Sequence, residues 1–437
     1  MTTLTTVLAA AVGLTASILA PNPTSDTNDG LIAELAKQIR DNYVFPKIGQ
    51  ATADHLLAQS RDGVYDGLND EQLSARLNEE LRDFTHDLHF GVRLLPSDWK
   101  MSEDAETEDE EEWQPLTPEQ IAEIRLINAP NGFTHVQRLD GNIGYLEMTG
   151  FHQYDMARED ADAAMQLLAG SSALIVDLRK NGGGDPATVQ HVSSYLFDPD
   201  EPVHLNSLYF RPSDETTEYW THSEINTQYA MPEVPVYVLT SSYTFSAAEE
   251  FSYNLQSLER ATIVGETTGG GAHPINRVVV DNRFSVSIPV GRAINPITQT
   301  NWEGTGVHPD IAVPANKALD TAIEQILTKL VEQGDENARW GLISLQSQNN
   351  PIPLSASDLA EYAGQYTDRE LMVEDATLKY RRKGRPSWSS LIALGEDRFV
   401  IDGYDGFLMT FERDGSGNIT RIVGSYQQGH SDSSDRE

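Results

Sequence analysis

The spacing of apolar residues divides the chain into three stretches with different predicted structure. Residues 29–98 carry apolar side chains at helical spacing, such as Leu31, Leu35 and Ile39, which predicts an N-terminal helical subdomain. In residues 134–345 short apolar runs alternate with helical segments, which is typical of an α/β domain with helices covering a sheet. Residues 354–430 hold short strands separated by glycine and charge, which predicts a small β-rich domain of the sandwich or partial-barrel kind.

The same pattern places individual elements within the α/β stretch. They are strands at 135–139 and 142–148, a helix at 156–168, a strand at 173–178, a helix at 186–196, strands at 236–239 and 262–264, a hairpin at 277–290 and a closing helix at 314–333. Residues 346–353 are predicted to be a linker, and residues 430–437 a disordered tail. The predicted fold class is therefore α/β with a helical start and a β-rich end.

Composition limits the partners and the chemistry. A formal net charge of -36 over 437 residues argues against nucleic acid and anionic membrane surfaces as partners. The acidic run at 103–112 falls in a predicted connector, residues 99–133, and indicates a solvated loop. The chain has no cysteine, which excludes disulfides and thiol catalysis. It contains no HExxH or EF-hand pattern and no phosphate-loop ending, so neither a metal site nor a cofactor is predicted.

The N-terminus predicts export. Residues 6–20 form an apolar run with small residues, followed by a polar segment. This resembles a secretory signal peptide cleaved near Ala20, so residues 1–28 are predicted to be a signal peptide and linker. An N-terminal membrane anchor is the alternative. Both interpretations place the protein outside the cytoplasm, in the periplasm or the extracellular space.

The segment VYVLTSSYTFSAAEEF, residues 236–251, carries the most informative chemistry. A short apolar strand leads into a polar turn, and Ser246 opens a predicted helix with Glu249 and Glu250 in its first turn. These residue types are ordinary helix N-terminal signals, so an N-cap is one interpretation. A nucleophile is the other, because the following amides and the helix dipole would stabilise an oxyanion. The local sequence leaves both open.

Two residue types could activate such a serine. No lysine lies between Lys180 and Lys317, so a lysine shortly after the serine helix is not available, and Lys180 is expected at the surface. Among the histidines, His89 stands where a predicted helix gives way to a strand, a place where catalytic groups are common. His273 and His308 are its rivals.

Four motifs follow one another in a set order: DLRKNGGG at 177–184, TSSYTFSAAEEF at 240–251, IVGETTGGGAHP at 263–274 and WEGTGVHPDI at 302–311. Together they resemble the tail-specific, C-terminal-processing family of serine peptidases, in the branch that includes the tricorn protease core and interphotoreceptor retinoid-binding protein. DNYVFP at 41–46 and DLHFGV at 87–92 are similar to the same branch. The resemblance covers roughly residues 30–330.

The resemblance implies a crotonase/ClpP-like α/β core and hydrolysis of peptide bonds in peptides or partly unfolded protein. It implies that Ser246 is the nucleophile and His89 the general base. Glu303 matches the acidic residue that supports this histidine through a polar network.

The same resemblance implies an oxyanion hole made by backbone amides. One of Gly183 and Gly184, together with Ala247, would form it. Glycine suits this place, because without a Cβ the backbone can turn an N–H toward a carbonyl.

The chain also departs from the family pattern. Processing peptidases use a serine–lysine dyad, whereas residues 269–271 are all glycine here, which favours a serine–histidine mechanism. Leu88 precedes His89 where the family commonly has a small residue, and the PDZ insert is missing. A secreted module that binds an apolar ligand is the alternative function, and the C-terminal domain resembles small lipocalin-like appendages. A homo-oligomer is left open.

Overall fold

A computed structural model describes residues 28–96, 132–349 and 351–437. The predicted signal segment and the acidic run at 103–112 lie outside these ranges. No helix within them is long and apolar enough to cross a membrane. The described residues form two compact units. The first draws on the described residues up to Gln137, on Tyr145–Gly170 and on Leu174–Ala318, and the second on Arg138–Gly144, Ser171–Ala173 and the described residues from Leu319 to Glu437.

The first unit opens with helices whose apolar residues share one face. In order these elements are α1 (Asn28–Asn42), α2 (Pro46–Arg61), α3 (Asp70–Thr85) and the short strand β1 (Gly91–Leu94). Leu31, Leu35 and Ile39 are at most 2% exposed, as the helical spacing predicted. Asn69 and Gln72 begin α3 with a reciprocal capping box, their side chains accepting each other's backbone N–H at 2.9 and 3.1 Å.

A hairpin joins this helical segment to the rest of the unit. It consists of β9 (Ile275–Val280) and β10 (Phe284–Pro289), with Asp281 and Asn282 at positive φ in the turn, as predicted. Strand β1 pairs antiparallel with β10, so β1 and β9 run the same way on either side of it. The segments that precede β1 and β9, DLHF and GGGAHP, are therefore brought to the same end of this sheet.

A six-stranded sheet forms the α/β core of the first unit. Its strands are β2 (Phe133–Leu139), β3 (Ile143–Met148), β4 (Ala173–Asp177), β7 (Val236–Thr240), β8 (Ala261–Gly265) and β12 (Ile311–Ala312). Their spatial order is β12-β8-β7-β4-β3-β2, and the four strands from β12 to β4 pair in parallel. Every residue of β4 and β7 is buried, as expected for parallel strands covered on both faces.

Helices and a smaller sheet complete the first unit. The helices are α4 (Tyr154–Leu168), α5 (Pro186–Ser194) and α6 (Ala247–Ser257), and the strands are β5 (His204–Phe210), β6 (Glu215–Trp220) and β11 (Gly291–Ile294). Apolar residues of all three helices join those of β3, β4 and β7 in one core. The mixed α/β class predicted from the sequence is confirmed.

The second unit contains an antiparallel sheet in which the strands follow chain order. Its helices are α7 (Ala318–Glu332), α8 (Glu336–Asn349) and α9 (Ala356–Tyr362), and its strands are β13 (Gly364–Gln365), β14 (Arg369–Glu374), β15 (Thr377–Arg382), β16 (Ser389–Gly395), β17 (Arg398–Ile401), β18 (Tyr404–Arg413), β19 (Ile419–Tyr426) and β20 (Ser431–Asp435). Hydrogen bonds from Thr367 to Asp435 and from Glu437 to Gln365, each 3.0 Å, join the last strand to the first. The sheet thus closes into a barrel, and the prediction of a β-rich C-terminal domain is confirmed.

Two sequence-based predictions in this unit are wrong. Residues 430–437 are no disordered tail, because β20 pairs along β19 and reaches β13, which removes both open edges of the sheet. Its sequence SDSSD has no apolar alternation, so only the pairing defines it as a strand. The linker predicted at 346–353 begins later, because α8 continues to Asn349 with Trp340 and Ile343 packed against the outer face of β16 to β18.

Candidate active site

Two turns meet at the carboxyl ends of neighbouring parallel strands β4 and β7. The Phe245 N–H donates to the Asn181 carbonyl at 3.1 Å. The Thr244 hydroxyl donates to the Leu178 carbonyl at 2.8 Å. Because these bonds join the two turns directly, the glycine run after β4 is held against the serine turn after β7. Crevices at the carboxyl ends of such strands are common ligand sites.

Ser246 occupies the sharpest point of the second turn. Its backbone has φ 55 and ψ -122, a left-handed conformation that is costly for a residue with a Cβ. Its N–H donates to Glu249 Oε2 at 2.9 Å, which fixes the serine at the N-terminus of α6. A strained serine at a strand-to-helix turn, partly exposed, has the geometry of a nucleophile.

The glycine run supplies the neighbouring backbone. A Cβ on Gly183 would lie 2.7 Å from Ser246 Cβ and 3.1 Å from the Ala247 nitrogen, so only glycine fits there. The Gly183 N–H donates to Asn181 Oδ1 at 2.9 Å. The N–H groups of Gly184 and Ala247 have no hydrogen-bond partner among the described residues. These two amides are available to a carbonyl oxygen beside Ser246.

Gly184 is required for a close backbone approach. Its φ is 145, and a Cβ there would overlap the Phe151 carbonyl. Phe151 flanks it with two hydrogen bonds, donating to the Gly183 carbonyl at 2.9 Å and accepting from the Asp185 N–H at 2.7 Å. The conformation of the glycine turn is thereby fixed from both sides.

His89 lies against the residue that precedes the serine. The rings of His89 and Phe245 have centroids 4.7 Å apart. A Cβ on Gly271 would lie 2.5 Å from His89 Cε1 and would overlap the Phe245 ring. The space that a longer side chain at 271 would enter is therefore filled by the two rings, which accounts for glycine at this position.

The electrostatics favour a neutral His89. Burial lowers its pKa to about 4, Asp87 acts in the opposite direction, and His273 lowers the pKa further. Both ring nitrogens are buried, and neither has a hydrogen-bond partner in the described part of the chain. A neutral imidazole with a free lone pair is the form required of a general base.

A second histidine and two carboxylates lie behind His89. Asp87 Oδ2 is 2.6 Å from His273 Nδ1 and accepts from the Tyr43 hydroxyl at 3.2 Å. Asp87 Oδ1 accepts the His89 backbone N–H at 3.0 Å and lies 4.0 Å from His89 Nδ1. Glu303 Oε2 is 3.4 Å from His273 Nδ1. The carboxylate that faces His89 is therefore Asp87, with Glu303 connected through His273.

Glu303 lies at the outer end of this network. Its Oε2 accepts the Ala272 N–H at 2.6 Å, and its Oε1 is buried with no partner among the described residues. Burial raises its pKa to about 7; the His273 charge lowers the pKa, and the Asp87 carboxylate raises it. Glu303 can thus carry or release a proton near neutral pH.

Glu249 organises the opposite side of the site. Although its position is typical of an exposed helix start, its side chain is fully buried. It accepts hydrogen bonds from the Gly270 and Gly271 N–H groups at 2.6 and 2.8 Å and from the Thr268 hydroxyl at 2.5 Å, in addition to the Ser246 N–H. One carboxylate therefore ties the second glycine run to the nucleophile turn.

The other residues weighed from the sequence lie elsewhere. Lys180 is 3.2 Å from Glu147 with a side chain that is 70% exposed, so it is a surface residue, as expected. His308 contacts the Thr267 hydroxyl at 3.2 Å in an exposed position. His273 is part of the network, but as the partner of Asp87 and not of the serine turn.

Sequence reasoning gave no role in the site to Asp87 or Asn181, and it interpreted Glu249 only as a helix N-terminal signal. Each stands in a motif whose neighbours were recognised: Asp87 two residues before His89, Asn181 two before Gly183, and Glu249 three after Ser246. An aspartate or asparagine two residues before a backbone N–H is a known turn signal. That signal could have found the first two, whereas the burial of Glu249 follows only from the fold.

One cluster in the described ranges has the donor set for a metal ion. Asp87, His273 and Glu303 each offer one ligand atom, and these atoms lie within 4.8 Å of one another. In the structure a hydrogen bond between His273 and Asp87 links two of them.

Glu250 gives a prediction about pH and stability. Burial raises its pKa to about 7, the Asn206 amide lowers it and Asp185 raises it. A folded-state pKa above the unfolded value stabilises the protein below the unfolded pKa, and this stability is lost as the pH rises through the folded pKa. Glu250→Gln keeps an acceptor for Asn206 and carries no charge. We expect it to exceed the wild type in free energy of unfolding by about 3 kcal/mol at pH 8 and by less than about 1 kcal/mol at pH 5.

Denaturant unfolding at both pH values measures this difference. Glu259→Gln, at an exposed position, is the control and should change stability equally at both. An equal gain for Glu250→Gln at pH 5 and pH 8 would show that the carboxyl ionises normally in the folded protein.

Comparison with known proteins agrees with this architecture. Residues 142–313 match the profile of peptidase family S41, and residues 24–129 match the N-terminal domain of Peptidase_S41 in eukaryotic IRBP. Over 210 residues the chain is 27% identical to the tricorn protease of Thermoplasma volcanium, a match that covers 45% of this chain and 18% of that protein. The chain thus spans less than a fifth of the length of this relative.

A solved structure shares the fold at low sequence identity. A candidate peptidase from Parabacteroides merdae superimposes with a TM-score of 0.50 at 21% identity, covering 70% of this chain and 98% of that one. The photosystem II D1 C-terminal processing protease has a TM-score of 0.41 at 15% identity, covering 67% and 94%. The match to both profiles identifies residues 142–313 as a peptidase domain of family S41, preceded by a segment that matches the family's N-terminal domain.

Proposed function

We propose that this protein is a serine-type peptidase that uses Ser246 as nucleophile and His89 as general base. The observation that carries the proposal is the geometry around Ser246. The serine stands at a strained elbow with φ 55, next to the unpaired Ala247 amide, and the neutral, unpaired His89 packs against the preceding ring. A nucleophile, a base and an oxyanion donor are the three parts that acyl transfer needs.

The reaction then follows from these parts. His89 accepts the Ser246 hydroxyl proton while the oxygen attacks the substrate carbonyl, and the new oxyanion accepts hydrogen bonds from the Ala247 and Gly184 N–H groups. Return of the proton from His89 to the leaving amine breaks the peptide bond. A water molecule deprotonated by His89 then hydrolyses the acyl-enzyme. Contacts between base and nucleophile are often loose without substrate, which is consistent with the free ring nitrogens of His89.

The role of the acidic residues is to stabilise the protonated base. Asp87 faces His89 at 4.0 Å, so it lowers the free energy of the imidazolium that forms during attack. Glu303 supports this carboxylate through His273. We assign Glu303 this indirect role.

We propose peptides or partly unfolded proteins as substrates, with neither a metal nor another cofactor in the reaction. Nucleic acid is not proposed as a partner because of the net charge of -36. Export through the apolar segment at 6–20 stays a prediction from the sequence, and self-association is left open.

The alternative function, carrying an apolar ligand, has less support. The interior of the C-terminal barrel is packed by its own side chains, with Tyr366, Phe399, Phe407 and Phe411 all at most 3% exposed. Eight-stranded barrels either fill their interior in this way or hold one small ligand.

Labelling with a fluorophosphonate probe tests the proposal. The wild type should form a covalent adduct that peptide mapping places on Ser246, and Ser246→Ala should not react. Ser242→Ala, an exposed serine of the same turn, is the matched control and should react like the wild type. Adducts only on other serines, or no cleavage by the wild type in a broad peptide library, would contradict the assignment.

A further inference from the structure

We propose that Asp87, His273 and Glu303 form a regulatory site for a zinc-class divalent cation, with His89 as the fourth ligand. Binding would inhibit the enzyme by occupying the base and the carboxylates behind it. The inhibition rests on the proposed peptidase function, whereas the binding itself does not.

The donor set matches the chemistry of zinc. Two imidazoles and two carboxylates offer nitrogen and oxygen ligands, which zinc binds in a tetrahedral shell. Mg²⁺ and Ca²⁺ prefer oxygen ligands alone, so two histidines disfavour them. The protein's net charge of -36 raises the local concentration of cations of any kind.

Unpaired atoms at the cluster point to a missing ligand. The His89 side chain is 10% exposed, and both its ring nitrogens are buried without a partner in the described residues. Glu303 Oε1 is likewise buried and unpaired. Buried polar atoms normally have partners, and each exception requires an explanation such as catalysis or an ion. Catalysis uses one His89 nitrogen, and an ion would give the other nitrogen a partner. Glu303 would bind the ion through Oε2, which lies 3.4 Å from His273 Nδ1.

The distances between the candidate ligand atoms lie on both sides of the separation found between ligand atoms around zinc. Ligand atoms around tetrahedral zinc lie roughly 3.3 Å apart. His273 Nδ1 is 3.4 Å from Glu303 Oε2 and 2.6 Å from Asp87 Oδ2, and all three ligand atoms lie within 4.8 Å of one another. Binding requires the distance between Asp87 Oδ2 and His273 Nδ1 to increase by somewhat less than about 1 Å. The His273 Nδ1 proton must leave for solvent, and the ion takes the place of that proton. His89 reaches the ion by turning its Nδ1 from 4.0 Å toward Asp87.

Co²⁺ is the probe for the full-length protein, because four-coordinate Co²⁺ absorbs visible light far more strongly than the hexaaqua ion. We expect one equivalent of Co²⁺ to produce this absorption and one equivalent of Zn²⁺ to abolish it. Glu303→Gln should weaken Zn²⁺ binding in equilibrium dialysis at least tenfold. His308→Gln removes an exposed histidine outside the site and should bind like the wild type.

The outcomes separate the two proposals. If metal-free protein reacts with the fluorophosphonate probe but gives no four-coordinate Co²⁺ spectrum, the zinc site is wrong and the peptidase stands. If Zn²⁺ binds but the metal-free protein never reacts, the peptidase is wrong. Equal Zn²⁺ affinity in wild type and Glu303→Gln would show that the ion binds elsewhere. If Glu303→Gln does not fold, the Zn²⁺ affinity of His273→Gln provides the same test. If neither variant folds, the Co²⁺ spectrum of the wild type decides whether a four-coordinate site exists.

Discussion

Replacing His89 by alanine is expected to lower kcat for peptide hydrolysis by about 10⁴-fold, the upper range for loss of a general base. The two rival histidines have other partners: His273 pairs with Asp87, and His308 is exposed beside Thr267. The change removes the group that takes the Ser246 proton but leaves the oxyanion donors in place. Residual activity from those donors should therefore remain above the uncatalysed rate.

Steady-state kinetics with one cleavable peptide measures this effect. His308→Ala serves as the matched control and should stay within twofold of the wild type. His273→Ala should lose less than His89→Ala, because it acts through Asp87. If His89→Ala retained a tenth of the activity and His273→Ala did not, the second histidine would be the base.

Replacing Asn181 by aspartate is expected to lower kcat by about 10²- to 10³-fold while KM stays within a few-fold, the pattern of a lost transition-state interaction. Asn181 positions both turns, since its Oδ1 accepts the Gly183 N–H and its carbonyl accepts the Phe245 N–H. Aspartate keeps the Oδ1 contact and places an oxygen where the buried Nδ2, unpaired among the described residues, now lies. The new negative charge opposes an oxyanion but not a neutral carbonyl.

The pH profile and an inhibitor distinguish this role from a structural one. The defect of Asn181→Asp should deepen as the pH rises and the new carboxyl ionises. Affinity for a peptide aldehyde, which forms an oxyanion on the serine, should fall much more than affinity for the product acid. Asn418→Asp, the same change in a turn of the C-terminal unit, is the control. Equal losses in kcat and in the affinity of both inhibitors would mean that the turn has simply been distorted.

The elements that the sequence placed correctly are those with a strong local signal. Buried strands such as β4 and β7 are continuous apolar runs, and the hairpin at 277–290 has Asp281 and Asn282 at the positive-φ turn its sequence suggests. The prediction for β20 was wrong because SDSSD has no such signal. Its position depends on closing the barrel against Gln365, far away in the sequence.

The candidate site shows the same division. The ordered motifs were enough to select Ser246, His89 and Glu303 as candidates, because family motifs keep their residue types and order along the chain. They could not show that Asp87 is the carboxylate facing His89, or that the Gly183 amide is already bonded to Asn181. Those contacts depend on which side chains meet after folding.

By itself, then, the sequence determined the class of fold, the order of the elements and the residue types from which a serine peptidase is built, since apolar periodicity and motifs are local properties of the chain. Only the tertiary structure decided how these residues are connected. The pairing of β1 with β10 places DLHF beside GGGAHP. His89 and His273, which are 184 positions apart in the sequence, both contact Asp87 as a result. Burial gives Glu249 and Glu250 roles that two acidic residues at a helix start do not suggest. Burial and long-range pairing are the physical reason, because both are set by the whole fold and leave no mark on the neighbouring sequence.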